Sequence, residues 1–143
     1  MSRPAHAEVV VGGTAGKLPA RVVREAVARV LEGERRDAAF VVTFLGPRRM
    51  RALNAEYKDH DWPTDVISFA LPLPDGSLTG DLYICPSVAA REAHSRGIRV
   101  REELVRLVVH GTLHVLGFDH PEGEERTRSP MWQKQEHYVG LLT

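Results

Sequence analysis

The sequence predicts a single domain, residues 1–143, in which a small mixed sheet of four short strands carries about five helices. Three observations lead there. Two strand–helix–strand patterns run from residue 9 to residue 69, a further strand follows closely enough to pair as a hairpin, and the chain after Pro86 reads as helical.

Val9-Val10-Val11 is a short strand that ends at Gly12-Gly13. A helix begins near Pro19, because Val23, Ala26, Val27, Val30 and Leu31 recur on one helical face; Gly33 is expected to close it. The β-branched and aromatic run from Ala39 to Leu45 is a buried strand. Gly46-Pro47 turns the chain, and Pro47 suits the first turn of a second helix that reaches Tyr57. Asp65 to Phe69 forms the third strand, Leu71-Pro72-Leu73-Pro74-Asp75-Gly76 supplies turn chemistry, and Asp81 to Cys85 is the fourth strand. Helices follow at roughly 86–96, 100–117 and 124–141. The middle one is apolar almost all round (Leu104, Val105, Leu107, Val108, Val109, Leu113, Val115, Leu116), the pattern of a buried central helix. No repeat, low-complexity tract or linker divides the chain.

Composition bounds the function. Hydrophobic residues at 43% and charged residues at 27% are ordinary for a soluble globular domain. Cys85 is the one cysteine, so no internal disulfide ties the chain to an oxidising compartment. No apolar run approaches the ~18 residues of a membrane span, and the opening Met1-Ser2-Arg3-Pro4-Ala5-His6 lacks a signal-peptide core. A cytoplasmic protein with no membrane partner is expected. The net charge of zero conceals an asymmetry: residues 1–60 hold 11 Lys/Arg against 7 Asp/Glu, and residues 61–143 hold 8 against 12. The total argues mildly against a nucleic-acid partner, whereas the basic half leaves one open.

The chemistry concentrates between His110 and His120. His110 and His114 are four apart, so on a helix both imidazoles project from one face. Gly117 can adopt the left-handed conformation that ends a helix, which lets His120 fold back towards them. Three protein ligands with a fourth position left for water is the catalytic zinc pattern, with one zinc ion expected per chain. Three separate histidines beside an apolar core would carry a desolvation cost that a shared metal removes. The other histidines, His6, His60, His94 and His137, form no such group and read as surface or locally bonded residues. The same ligand frame occurs in metzincin proteases, whose second motif position is a Glu acting as general base. Here that position is Gly111, so peptide hydrolysis lacks its base.

Two motifs in the same order give the chain a resemblance. The stretch from Leu53 through Tyr57-Lys58-Asp59-His60-Asp61-Trp62-Pro63-Thr64-Asp65 to Phe69, then Gly80-Asp81-Leu82-Tyr83-Ile84 and the His-Gly-x-Leu-His-x-x-Gly-x-Asp-His segment, resemble the YbeY family. Those proteins are bacterial ribosomal-RNA maturation factors regarded as zinc-dependent, single-strand-specific endoribonucleases. The resemblance implies an α+β fold with a four-stranded mixed sheet and the metal in a cleft at the end of the central helix. It further implies action on single-stranded RNA at the 3′ end of 16S rRNA and in ribosome quality control. The small ribosomal subunit and its assembly factors are the implied partners, with no role for DNA. The family usually has Arg where this chain has Lys58, and that Arg is thought to act in catalysis. Lys58 is therefore the catalytic candidate, a cation without the planar fork that suits phosphate. His60 likewise stands where a Lys is usual.

Other residues have two readings each. Asp119 either orients a ligand histidine or caps the turn. Arg48, Arg49 and Arg51 form a solvated helix face unless they hold RNA phosphates, and Pro63-Thr64-Asp65 starts the third strand and shapes the cleft wall. Met131, which invites comparison with a metzincin Met-turn, is expected in the core because it stands with Trp132 in a helical pattern. The rival functions are a zinc hydrolase of peptides or small molecules, and a ribosome-assembly factor whose zinc only braces the fold.

Overall fold

The computed structural model describes residues 7–13 and 18–143; His6 and the rest of the first six residues lie outside them. The chain forms β1 (Ala7–Gly13), α1 (Ala20–Glu34), β2 (Ala38–Phe44), α2 (Pro47–Lys58), β3 (Val66–Pro72), β4 (Leu78–Ile84), α3 (Pro86–Arg96), α4 (Val100–Val115), a 3-10 turn (Gly123–Arg128) and α5 (Pro130–Leu142). The fold is α+β, as expected, with one mixed sheet in the order β1-β2-β4-β3. β1, β2 and β4 run parallel, and β3 is antiparallel to β4. The second crossover from β2 therefore passes over a strand position. β3 takes the edge, and the hairpin brings β4 back into the gap.

Alternation on β2 explains the layering. Phe40, Val42 and Phe44 are buried, while Val41 between them is 44% exposed, so the helical layer covers one face of this strand. Leu82 and Ile84 of β4 join the same core, together with Val23, Val27, Val30 and Leu31 of α1. Ile67, Phe69 and Tyr83 point the opposite way and pack with Met50 and Leu53 of α2 in a smaller second cluster. α4 is the hub. It touches α1, α3, α5, β3 and β4, and eleven of its sixteen residues are buried, which accounts for its nearly uniform apolar sequence.

Two helix boundaries differ from the sequence expectation, each for a physical reason. The stretch 124–141 is not one helix: Pro130, which lacks an N–H and would clash inside a helix, starts α5 as its first residue. Ser129 caps it, its Oγ accepting the Trp132 N–H at 3.2 Å. Gly33 does not close α1 either. The left-handed cap is Arg35 (φ 56°), and Gly33 is needed for packing, since a Cβ there would lie 2.1 Å from the Tyr138 hydroxyl of α5. At the β3–β4 hairpin the expected turn chemistry is present: Asp75 Oδ1 accepts from the Ser77 N–H at 2.9 Å, and Gly76 has φ 89°.

Candidate metal centre

The last turn of α4 builds the centre. Gly117, at φ 103°, reverses the chain: its N–H bonds to the His114 carbonyl at 3.0 Å, and the Phe118 N–H reaches the Leu113 carbonyl at 3.1 Å. This is the Schellman arrangement, and it carries His120 back over the helix end. The three imidazoles meet there, with ring centroids 4.5 Å apart for His110 and His114 and 5.1 Å from each of these to His120. One ligand nitrogen from each lies within 4.8 Å of the others. A tetrahedral zinc with Zn–N bonds of ~2.0–2.1 Å sets its ligands about 3.4 Å apart, so a small inward shift of the rings completes the set. Among the described residues no fourth His, Cys, Asp or Glu joins the cluster, which leaves one tetrahedral position open.

Each ring has its other nitrogen engaged. Nδ1 of His110 lies 2.6 Å from Gln135 Oε1, that of His114 3.0 Å from the Phe118 carbonyl oxygen, and that of His120 3.0 Å from the Pro121 carbonyl oxygen. A carbonyl oxygen can only accept, so all three Nδ1 atoms carry the proton and all three Nε2 lone pairs are free for a metal. The Gln135 amide is itself oriented: its Nε2 donates to Glu136 Oε2 at 3.0 Å, and Glu136 is gripped at both oxygens by Arg106 at 2.9 Å. The residues present fit a zinc ion in donor type, number and tautomer.

Gln135 was not singled out from sequence, although a signal existed. Met131, Gln135, Tyr138 and Val139 fall at one-face helical spacing, and a glutamine 1% exposed within that core stripe needs a buried partner. Met131 is in the core, as expected. Asp119 takes the turn role: Oδ1 accepts the His120 backbone N–H at 2.9 Å. Lys58 ends α2 and lines an open cleft of 390 Å³ with His110, His114, Val66, Ser68 and Ala70, so the structure brings it to the same cavity as two of the histidines. Its ammonium lies 5.2 Å from the centre of the Phe69 ring. Arg51 is paired with Asp61 at 2.9 Å, and Arg48 and Arg49 are exposed at the start of α2. His60 stacks on Trp62 and is not one of the clustered histidines.

Burial holds the His110 imidazole down to about 4 and lowers His114 as well. Between pH 6.5 and 4 the unfolded chain therefore binds a proton at His110 that the folded, metal-free chain refuses. Stability rises with pH across that window and is lost as the pH falls through it, by on the order of 3 kcal/mol for this group. Urea unfolding of metal-free protein should show the loss, and His110→Asn should flatten the slope. Equal slopes in the two proteins would contradict the assignment.

Comparison with known proteins supplies the lineage. The sequence profile of the family described as Endoribonuclease YbeY matches residues 15–142. A relative from Chlorobium luteolum with that name is 35% identical over 130 residues, covering 90% of this chain and 93% of the relative. The Burkholderia ambifaria protein of the same name is 43% identical over 90 residues, which covers 62% of this chain and spans only about half of that relative, 51%. Among solved structures, the solution structure of TM1509 from Thermotoga maritima aligns with a TM-score of 0.67 at 28% identity, covering 94% of this chain and 88% of the other.

Proposed function

The chain belongs to the Endoribonuclease YbeY family, and from that membership and its three converging imidazoles we propose that it is a zinc-dependent endoribonuclease acting on single-stranded RNA. Its place is the maturation of ribosomal RNA, including the 3′ end of 16S rRNA, and ribosome quality control in the cytoplasm, with the small subunit and its assembly factors as partners. No helix among the described residues is long and apolar enough to cross a membrane, which is consistent with that setting. The whole chain, residues 1–143, acts as one catalytic domain.

The observation that carries the reading is the tautomer lock: three Nδ1–H groups donate to oxygens, leaving three Nε2 lone pairs available to a metal. When bound, zinc supplies Lewis-acid polarisation of a phosphoryl oxygen and an acidified water at its open position. His110, His114 and His120 hold it. Lys58, in the cleft beside them, stabilises negative charge that develops on the phosphoryl group. Gly111 supplies no general base, which separates this site from a peptidase built on the same ligand frame.

The test combines zinc analysis with cleavage of a short single-stranded RNA. About one zinc per chain is expected. Lys58→Ala should keep its zinc and fold while losing about ten- to a hundredfold in turnover, because the contact is made chiefly in the transition state. Lys58→Arg should retain or raise the rate, since its fork reaches two phosphate oxygens. An alanine variant with full metal and full rate removes Lys58 from the site, and protein that neither purifies with zinc nor takes it up defeats the reading as a whole.

A further inference from the structure

Lys58 is not the only cation beside the metal centre. His110 also borders a second cavity, of 190 Å³, whose wall includes Arg96, Arg106, Arg126, Trp132 and Gln135. Two of its three arginines are already neutralised. Arg96 is bonded to Glu103, and Arg106 to Glu102, Glu103 and Glu136. Arg126 has no carboxylate at salt-bridge distance among the described residues. Its guanidinium carbon instead lies 5.7 Å from the centre of the Trp132 ring, which holds a long side chain in place without cancelling its charge.

The backbone beneath it is equally placed. The Arg126 carbonyl accepts both the Ser129 N–H at 3.2 Å and the Ser129 hydroxyl at 2.7 Å, tying the 3-10 turn to the capped start of α5. Asp65 and Glu92 stand in the same wall, and no salt bridge joins either to Arg126 among the described residues, so Arg126 is the one arginine of this cavity that no carboxylate holds.

We propose that Arg126 is a catalytic residue that grips a phosphate of the RNA strand beside the metal centre, through the planar two-point contact that Lys58 cannot make. The proposal rests on the endoribonuclease reading. Lys58 and Arg126 line separate cavities that share His110, so a strand laid across the three imidazoles meets a cation in each. Lys58 brings a point charge from the end of α2, and Arg126 brings the planar fork from the turn before α5.

The experiment is cleavage of a short single-stranded RNA by zinc-loaded wild type, Arg126→Ala and Arg126→Lys across a salt titration, with zinc content and Tm measured on each. Arg126→Ala should lose about ten- to a hundredfold in kcat/KM at unchanged zinc and Tm. Its log–log salt dependence should be shallower by roughly 0.7, the share of one single-strand phosphate. Arg126→Lys should recover the salt slope but only part of the rate, because the charge returns without the fork. Wild-type rate and slope in both variants overturn the proposal, as does a loss of rate that tracks loss of zinc or of Tm. If the wild type cleaves no RNA, the endoribonuclease reading fails first, and the wild-type arm separates that result from a failure at Arg126 alone.

Discussion

His114→Ala is expected to bind zinc at least ~100-fold more weakly than the wild type and to cleave RNA at least ~1,000-fold more slowly. His114 stands at the centre of the arrangement. It is the helix-borne partner of His110, its ring is 5.1 Å from that of His120, and it lines the cleft that holds Lys58. Without it two imidazoles remain, and two ligands leave a zinc ion neither held firmly nor limited to one open position. The fold should survive. His114 is only partly buried, and its single hydrogen bond, to the Phe118 carbonyl, is worth about 1 kcal/mol to the metal-free chain. Elemental analysis, a Tm and a cleavage rate on the same preparation test the claim. A variant that kept one zinc per chain and its rate would take the metal away from these three histidines.

Gly111→Glu should be the most damaging substitution to stability, costing more than ~3 kcal/mol. It would restore the residue that a metzincin uses as its base. It cannot be accommodated, because a Cβ at Gly111 would lie 2.7 Å from Leu82 Cδ2 and 3.2 Å from Cδ1, where α4 packs against β4. A carboxylate would be driven into the apolar core with no partner. Gly111→Ala, which asks only that Leu82 shift, should cost about 1–3 kcal/mol. Urea midpoints of the two variants would check both figures. A Glu variant as stable as wild type would mean that the contact with β4 is looser than the packing indicates. The glycine is thus explained from the side of the core: the helix sits too close to the sheet for any base at that position.

What could be read from the sequence was local. The i, i+4 histidines on an apolar helix, the glycine after them and the β-branched runs each depend on residues a few positions apart, and the structure reproduces all of them. What escaped depended on distant partners. Gln135 acts on a histidine 25 residues away, and Arg126 gains its meaning only from a cavity shared with His110. The place of β4 between β2 and β3 follows from long-range pairing that no local pattern records. Gly33 was misread as a helix end because a glycine near the end of a helix usually caps it, whereas here the demand comes from Tyr138 on α5.

The Schellman reversal at Gly117 gives the three ligands unequal freedom. His110 and His114 ride on a helix packed against α1, α3, α5, β3 and β4, which fixes their spacing as one turn of that helix. His120 lies beyond the reversal on a stretch without helix or strand, anchored locally by Asp119 and its own Nδ1 bond to Pro121. A metal ion held here would have two ligands on a packed helix and one on a loop, so binding in steps, the helix pair before His120, is the expected order. Release would then run the other way, and the residence time of a bound ion would follow the opening of the 118–121 stretch rather than the unfolding of the domain.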